Sequence, residues 1–299
     1  MSAIEPPAVV AFIGLGKMGV PMAARLIGAG FRLRVYDVNQ KAISDFVGDH
    51  GSAVATASAS AAAQGADAVI TILPDGKAVR QAFLEGSAAA ILGMKSSALA
   101  IDMSSSAPAA TVALAADLEK RGLSFIDAPV SGGVKRAVDG SLAIMTGGSK
   151  DDVERARPMF SAMGKIIYHT GNVGAGHAMK ALNNYLSAAT LTTMCEALRI
   201  GEKFGLDPDL MVDIFNTSSG KSNSTDVKAK QFILSGAYNS GFTVALMAKD
   251  LGIAAGLAEH VGLKAEALEH VLQRWTEARS SIGDNADHTE IFKVATAER

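Results

Sequence analysis

The run Val9–Ile13 (VVAFI) breaks directly into Gly14-Leu15-Gly16-Lys17-Met18-Gly19, and a helical pattern follows over Met18–Ala29. No other stretch limits the fold as tightly. A buried strand, a Gly-x-Gly-x-x-Gly turn and a helix in that order suit a dinucleotide. The first glycine permits the turn, the second lets a pyrophosphate reach the backbone, and the third lets helix and strand pack closely. Free N–H groups and the helix dipole then favour phosphate at the helix start. A plain strand–turn–helix corner shows the same spacing, so a second feature has to decide. Asp37 closes the next apolar run, Leu33–Asp37 (LRVYD). It stands near the offset of about 20 residues at which an acid meets the adenine ribose. A carboxylate there accepts from both ribose hydroxyls and repels a 2′-phosphate. No arginine follows in DVNQKA, although Lys41 is near, so NAD is expected over NADP. A helix N-capping role for Asp37 is compatible with this.

The first half continues to alternate. Asp67–Leu73, Ala98–Met103, Ser124–Val130, LAIMTGG and KIIYHT read as further strands, with helices from about 40 and over about 108–121. Apolar strands alternating with helices predict a largely parallel sheet covered on both faces. After about residue 170 the strand signals stop. From Ala175 to Phe204 apolar residues recur at helical spacing with little interruption, and further helices are expected near 208–217, 222–235, 243–259 and 264–280. The fold class expected is α/β: an N-terminal Rossmann-type doubly wound sheet over residues 1–170, then an all-α C-terminal domain with a long central helix over 171–299. A helix that long suggests a spine or a subunit interface, hence a homodimer or homotetramer.

Composition removes other classes. The chain has 299 residues, 48% hydrophobic and 19% charged, which favours packed domains over disorder. The formal charge of −2 comes without a basic block, so nucleic acid is not the expected partner. No apolar run reaches the roughly 18 residues of a membrane span. Cys195 is the sole cysteine, and a start without a basic-then-apolar leader adds to the expectation of a cytoplasmic protein. The six histidines are scattered without ligand spacing, and no metal is expected.

Two more clusters carry chemistry. Ser131-Gly132-Gly133, between a strand and a short helix, offers backbone N–H groups and a hydroxyl to a carboxylate. A simple glycine-rich loop reads equally well. Lys180 and Asn184, four apart, share one helix face. A desolvated lysine can act as general acid and base, although a solvated lysine on the helix edge fits the spacing equally.

GLGKMGVPMA, DAPVSGG, the Gly174–Asn184 pattern GxGxxxKxxNN and MAKDLGIA (247–254) together resemble the β-hydroxyacid dehydrogenase family across nearly the whole chain. That family includes 3-hydroxyisobutyrate dehydrogenase, tartronate semialdehyde reductase and, more distantly, 6-phosphogluconate dehydrogenase. The resemblance implies Lys180 as the catalytic lysine and Asn184 as the asparagine that holds substrate beside it. It implies Ser131, Gly132 and Gly133 as carboxylate-binding. Leu73, Pro74, Ser105 and Lys249 fall on the cofactor side, with Gly14, Leu15, Gly16, Lys17, Met18, Gly19 and Asp37. Ser187 stands where decarboxylating relatives carry a glutamate, so the resemblance implies hydride transfer without decarboxylation. The substrate implied is a small β-hydroxy acid, most like 3-hydroxyisobutyrate; the tartronate semialdehyde (glycerate), serine, threonate and sulfolactaldehyde enzymes share the frame. A scaffold that binds dinucleotide without turnover is the reading from another class. Asn183, Ser222, Asn223, Ser224 and Lys228 are polar enough to touch a hydroxylated substrate, although surface or capping roles account for them more simply. Asp250 reads as a structural partner of its neighbours.

Overall fold

The structure, a computed structural model, describes residues 2–295. The chain forms two compact units that divide between Lys180 and Ala181.

The first unit is built on β1 (Val9–Ile13), α1 (Gly19–Gly28), β2 (Arg32–Tyr36), α2 (Gln40–Asp49), β3 (Val54–Ala55), α3 (Ala59–Ala63), β4 (Ala68–Thr71) and α4 (Gly76–Leu84). It continues with β5 (Leu99–Asp102), α5 (Pro108–Glu119), β6 (Ser124–Asp127), β7 (Val130–Ser131), α6 (Gly133–Asp139), β8 (Leu142–Gly147), α7 (Lys150–Met163) and β9 (Gly164–Gly171). The strands form one sheet in the order β3-β2-β1-β4-β5-β6-β8-β7, with β9 beside β8. Pairing is parallel from β3 through to β6, for example Val10 opposite Leu33 and Phe12 opposite Ile70.

Alternation along a strand sends successive side chains to opposite faces, and here both faces are covered. Val10, Phe12, Leu33 and Ile101 pack with Met22, Leu26, Met159 and Phe160. Ala11, Ile13, Val69 and Phe125 pack with Ala62, Phe83, Leu114 and Leu118. This is the doubly wound, Rossmann-type sheet. One end departs from the parallel pattern, because β8 runs antiparallel to β6 and to β7. A parallel return needs a crossover of roughly a dozen residues or more, and the link from Ser131 to Leu142 holds only the seven-residue α6.

The second unit is helical. The helix α8 (Ala175–Phe204) starts in the first unit and runs into the second, followed by α9 (Pro208–Thr217), a π-helix (Ser224–Leu234), α10 (Val244–His260) and α11 (Glu266–Ile282). Its core gathers Leu191, Cys195, Leu198, Val244, Leu251 and Trp275. Buried Trp275 donates its indole N–H to Thr192 Oγ1 at 3.0 Å, which satisfies its one polar atom. Where an ordinary helix was expected near 222–235, the chain adopts the wider π form, a geometry often found at functional sites. Among the described residues no helix is long and apolar enough to cross a membrane.

Candidate active site

In a doubly wound sheet, ligands bind outside the carboxyl ends of the strands, where strand order reverses. Here the order reverses at β1, between β2 and β4. The glycine turn leaves β1, Asp37 follows β2, Leu73 and Pro74 follow β4, and Ser105 follows β5. Parallel pairing therefore brings these residues to one edge. Gly14 has φ +107°, and a Cβ there would strike the Ile72 carbonyl oxygen. A Cβ on Gly19 would strike the Gly14 carbonyl oxygen, so this glycine is the close contact between α1 and the turn. Gly16 faces open space and is exposed, with Lys17 exposed beside it. The turn is thus closed by protein at its first and third glycines and open at its second, as a pyrophosphate-binding turn requires. An open groove of about 730 Å3 borders it, lined by Leu15, Gly16, Lys17 and Val20 on one side and Val134 on the other.

Asp37 braces this turn. Its Oδ2 accepts from Leu15 N at 2.6 Å and its Oδ1 from Asn39 N at 2.8 Å. The N-cap of α2 belongs to Asn39, whose side chain accepts from Lys41 N and Ala42 N, so Asp37 does not cap that helix. Lys41 is engaged with Asp45 at 2.7 Å. On the β4 side, Leu73 N donates to Ser104 Oγ at 2.8 Å, which fixes the backbone entering Pro74.

The Ser131–Gly133 segment ends β7 and opens α6, with φ +134° at Gly132 and +69° at Gly133. Gly132 also lies tight against the Arg136 side chain. Two consecutive positive φ values favour glycine strongly.

The start of α8 is pinned from below by Asp127 at the end of β6. Its Oδ1 accepts from Gly174 N at 2.7 Å and its Oδ2 from His177 N at 2.8 Å. The carboxylate thus satisfies N–H groups that a helix start leaves without partners. Burial pushes the Asp127 carboxyl up, against the pull of His177 and of these N–H groups. Gly176 has no room for a Cβ between the Met145 carbonyl oxygen and Asp127. The His177 ring is buried between Thr111 Oγ1, 2.8 Å from Nδ1, and the Ser104 carbonyl, 3.2 Å from Nε2. Lys180 lies one turn further along, half-buried.

Beyond Lys180, α8 carries Asn183, Asn184 and Ser187. Asn184 is 6% exposed. Its Nδ2 donates to Asp250 Oδ2, and its Oδ1 accepts from Asn183 Nδ2 at 3.1 Å, so its amide is held at both ends. Lys249 Nζ stands 3.2 Å from Asp250 Oδ1. Asn183, Asn184, Lys249 and Asp250 are therefore one connected cluster.

Three residues show more than the sequence suggested. Asp250 is a buried acceptor for Asn184, in addition to pairing with its neighbour. Lys228 is buried, contrary to the simpler surface reading, and donates from Nζ to Ser187 Oγ at 3.0 Å. Burial pulls its amine down to about 8. Ser224 is also buried, within 3.1 Å of Thr190 Oγ1. Ser222 and Asn223 lead into the π-helix, where Ser222 Oγ accepts from Thr225 N at 3.2 Å. The sequence signal for Lys228 was its polarity, in a stretch polar enough to touch a hydroxylated substrate.

Residues 9–171 match the family described as the NAD binding domain of 6-phosphogluconate dehydrogenase, and residues 174–295 the one described as NAD-binding of NADP-dependent 3-hydroxyisobutyrate dehydrogenase. The chain is 37% identical to 2-(hydroxymethyl)glutarate dehydrogenase of Eubacterium barkeri, over 87% of this chain and 86% of that one. It is 40% identical to human mitochondrial 3-hydroxyisobutyrate dehydrogenase over 82% and 74% of the two chains. The structure of 3-hydroxyisobutyrate dehydrogenase from Mycobacterium tuberculosis with L-serine superposes with a TM-score of 0.90 at 31% identity, covering 97% of this chain and 99% of that one. The fold and the strand-edge site define a dinucleotide-binding oxidoreductase. The chain belongs to the β-hydroxyacid dehydrogenase family, whose cofactor is a nicotinamide dinucleotide.

Proposed function

We propose that this chain interconverts a small β-hydroxy acid and its carbonyl product, with NAD preferred and Lys180 as the proton carrier. The observation that carries this is the placement of Lys180 one turn before Asn184, on a helix whose first turn is fastened to the sheet by Asp127. A nicotinamide dinucleotide supplies the hydride acceptor or donor when bound. Gly14, Leu15, Gly16, Lys17, Met18 and Gly19 hold its pyrophosphate, Asp37 its adenine ribose, and Leu73, Pro74 and Ser105 line its place. Ser131, Gly132 and Gly133 take the substrate carboxylate, and Asn183 adds a polar contact from α8. Neutral Lys180 accepts the hydroxyl proton during oxidation, and its ammonium returns a proton to the carbonyl oxygen during reduction. Asn184, locked by Asp250 and Asn183, orients the substrate oxygen toward that amine. Lys249 sets a positive charge beside Asn184 and Asp250. Much of the rate comes from positioning.

Lys180→Ala is expected to lower turnover by about 10² or more while NADH still binds, read by steady-state kinetics and fluorescence titration. Near-normal turnover would refute the assignment. Substrate choice is tested with 3-hydroxyisobutyrate, serine, threonate, glycerate, sulfolactaldehyde and 2-(hydroxymethyl)glutarate, each with both nicotinamide cofactors. 3-Hydroxyisobutyrate is the first choice on resemblance. NADH formation with none of them would favour a non-catalytic scaffold.

A further inference from the structure

We propose that Lys228 and Ser187 form a second oxyanion subsite, which receives an acidic group at the far end of the substrate and so selects hydroxy acids carrying two such groups. The inference rests on the hydroxy-acid reading for the identity of its ligand and narrows it. Lys228 is nine-tenths buried, and Ser187 Oγ accepts one of its three N–H donors. Among the described residues no carboxylate lies within ion-pair distance of its amine. The carboxylate whose charge reaches it, Asp287, already accepts from Ser240 Oγ, Gly241 N, Thr289 N and Thr289 Oγ1. A buried cation is costly without a partner, and this one keeps two donors for an anion. Its position fits that use. Ser187 comes one turn after Asn184 and two turns after Lys180 on α8, so all three share one helix face. Two turns span ~10 Å of helix axis, within reach of a short carbon chain that has its carbinol at Lys180. The Ser224 and Thr190 hydroxyls, 3.1 Å apart, join the same π-helix to α8. Burial, which pulls the amine down to about 8, leaves it mainly charged at neutral pH.

The test uses the full chain with NAD present and two unreactive probes, titrated by calorimetry: glutarate with two carboxylates and butyrate with one. Glutarate is expected to bind at least about tenfold more tightly, the size of one charge-assisted hydrogen bond, and Lys228→Met to erase that advantage. Equal affinities in the natural chain, or an advantage that survives in Lys228→Met, overturn the subsite. A merely structural lysine would weaken both acids alike. Ser187→Ala gives an independent check should Lys228→Met fail to fold. It is expected to reduce the advantage at least about threefold, and an unchanged advantage there also overturns the subsite. The same preparations are assayed for NADH formation with the hydroxy-acid panel. Turnover without a glutarate advantage removes the subsite alone. A glutarate advantage without turnover on any hydroxy acid supports the subsite and removes the catalytic reading.

Discussion

Asp37 holds the glycine turn and, on the proposed reading, restricts the cofactor. Each carboxylate oxygen has about two acceptor positions, and the backbone N–H groups of Leu15 and Asn39 fill one on each oxygen. Capacity remains for two ribose hydroxyls, whereas a 2′-phosphate would meet like charge. Asp37→Ala is expected to lower the NAD-to-NADP ratio of kcat/KM by about tenfold or more. The ratio is the useful measure, because loosening the turn affects both cofactors; an unchanged ratio would argue against the assignment. The placement of Asp37 was legible because its determinants are local, one strand and one turn. Lys228 was not legible in the same way. Its burial depends on Ser187, 41 residues away in sequence, and on a π-helix that no spacing rule announces. Asp250 likewise meets Asn184 across 66 residues, so the sequence could offer only a pairing with its neighbours.

Among the elements, α8 shows the difference between extent and anchorage. Its span, Ala175–Phe204, followed from helical periodicity with little interruption. Its fastening did not, because Asp127 belongs to a strand that ends long before the helix begins. Removing that carboxylate leaves the Gly174 and His177 amides buried without acceptors. Asp127→Ala is expected to cost about 2–4 kcal/mol. Amide exchange at Gly174 and His177 should quicken, and turnover should fall, since Lys180 sits on the next turn. Denaturant unfolding with residue-resolved hydrogen exchange would check this; unaltered exchange at both amides would count against the fastening. Two short elements escaped for a different reason: the two-residue β3 and the five-residue α3 are too short to show a period. The strand β8 was legible as a strand, but not its antiparallel direction, which a strand pattern does not carry.

At the scale of the whole molecule, the segment 287–295 is tied into the helical unit. Ile291 and Phe292 join the core of the helical unit, and Asp287 caps the turn His288–Val294 in a box with Glu290. Burial alone would push the Asp287 carboxyl up, but bonds from His288, Thr289 and Ser240 outweigh it and hold the group well below the usual carboxylate range. A depressed carboxyl contributes stability above its unfolded value of about 3.9 and loses it as pH falls through the folded one. Asp287→Asn should therefore be less stable than the natural chain by about 2 kcal/mol at pH 7. The gap should narrow below about pH 4. Urea titrations at pH 7 and pH 3 give the comparison, and a gap of constant size would contradict it. At this level the sequence was most readable, since the change from strand–helix alternation to helices alone needs no tertiary knowledge.

The Asp127 fastening also says where this chain tolerates division. A fragment ending at residue 170 would carry an acid stripped of both its donors, whereas one ending after Lys180 would retain Gly174 and His177. The seam thus falls inside thirty residues of continuous helix, with no loop to cut, lengthen or splice. Anyone wishing to exchange the back half for another specificity must graft helix onto helix in phase, because a single added residue there would swing Asn184 and Ser187 by about 100° away from Lys180.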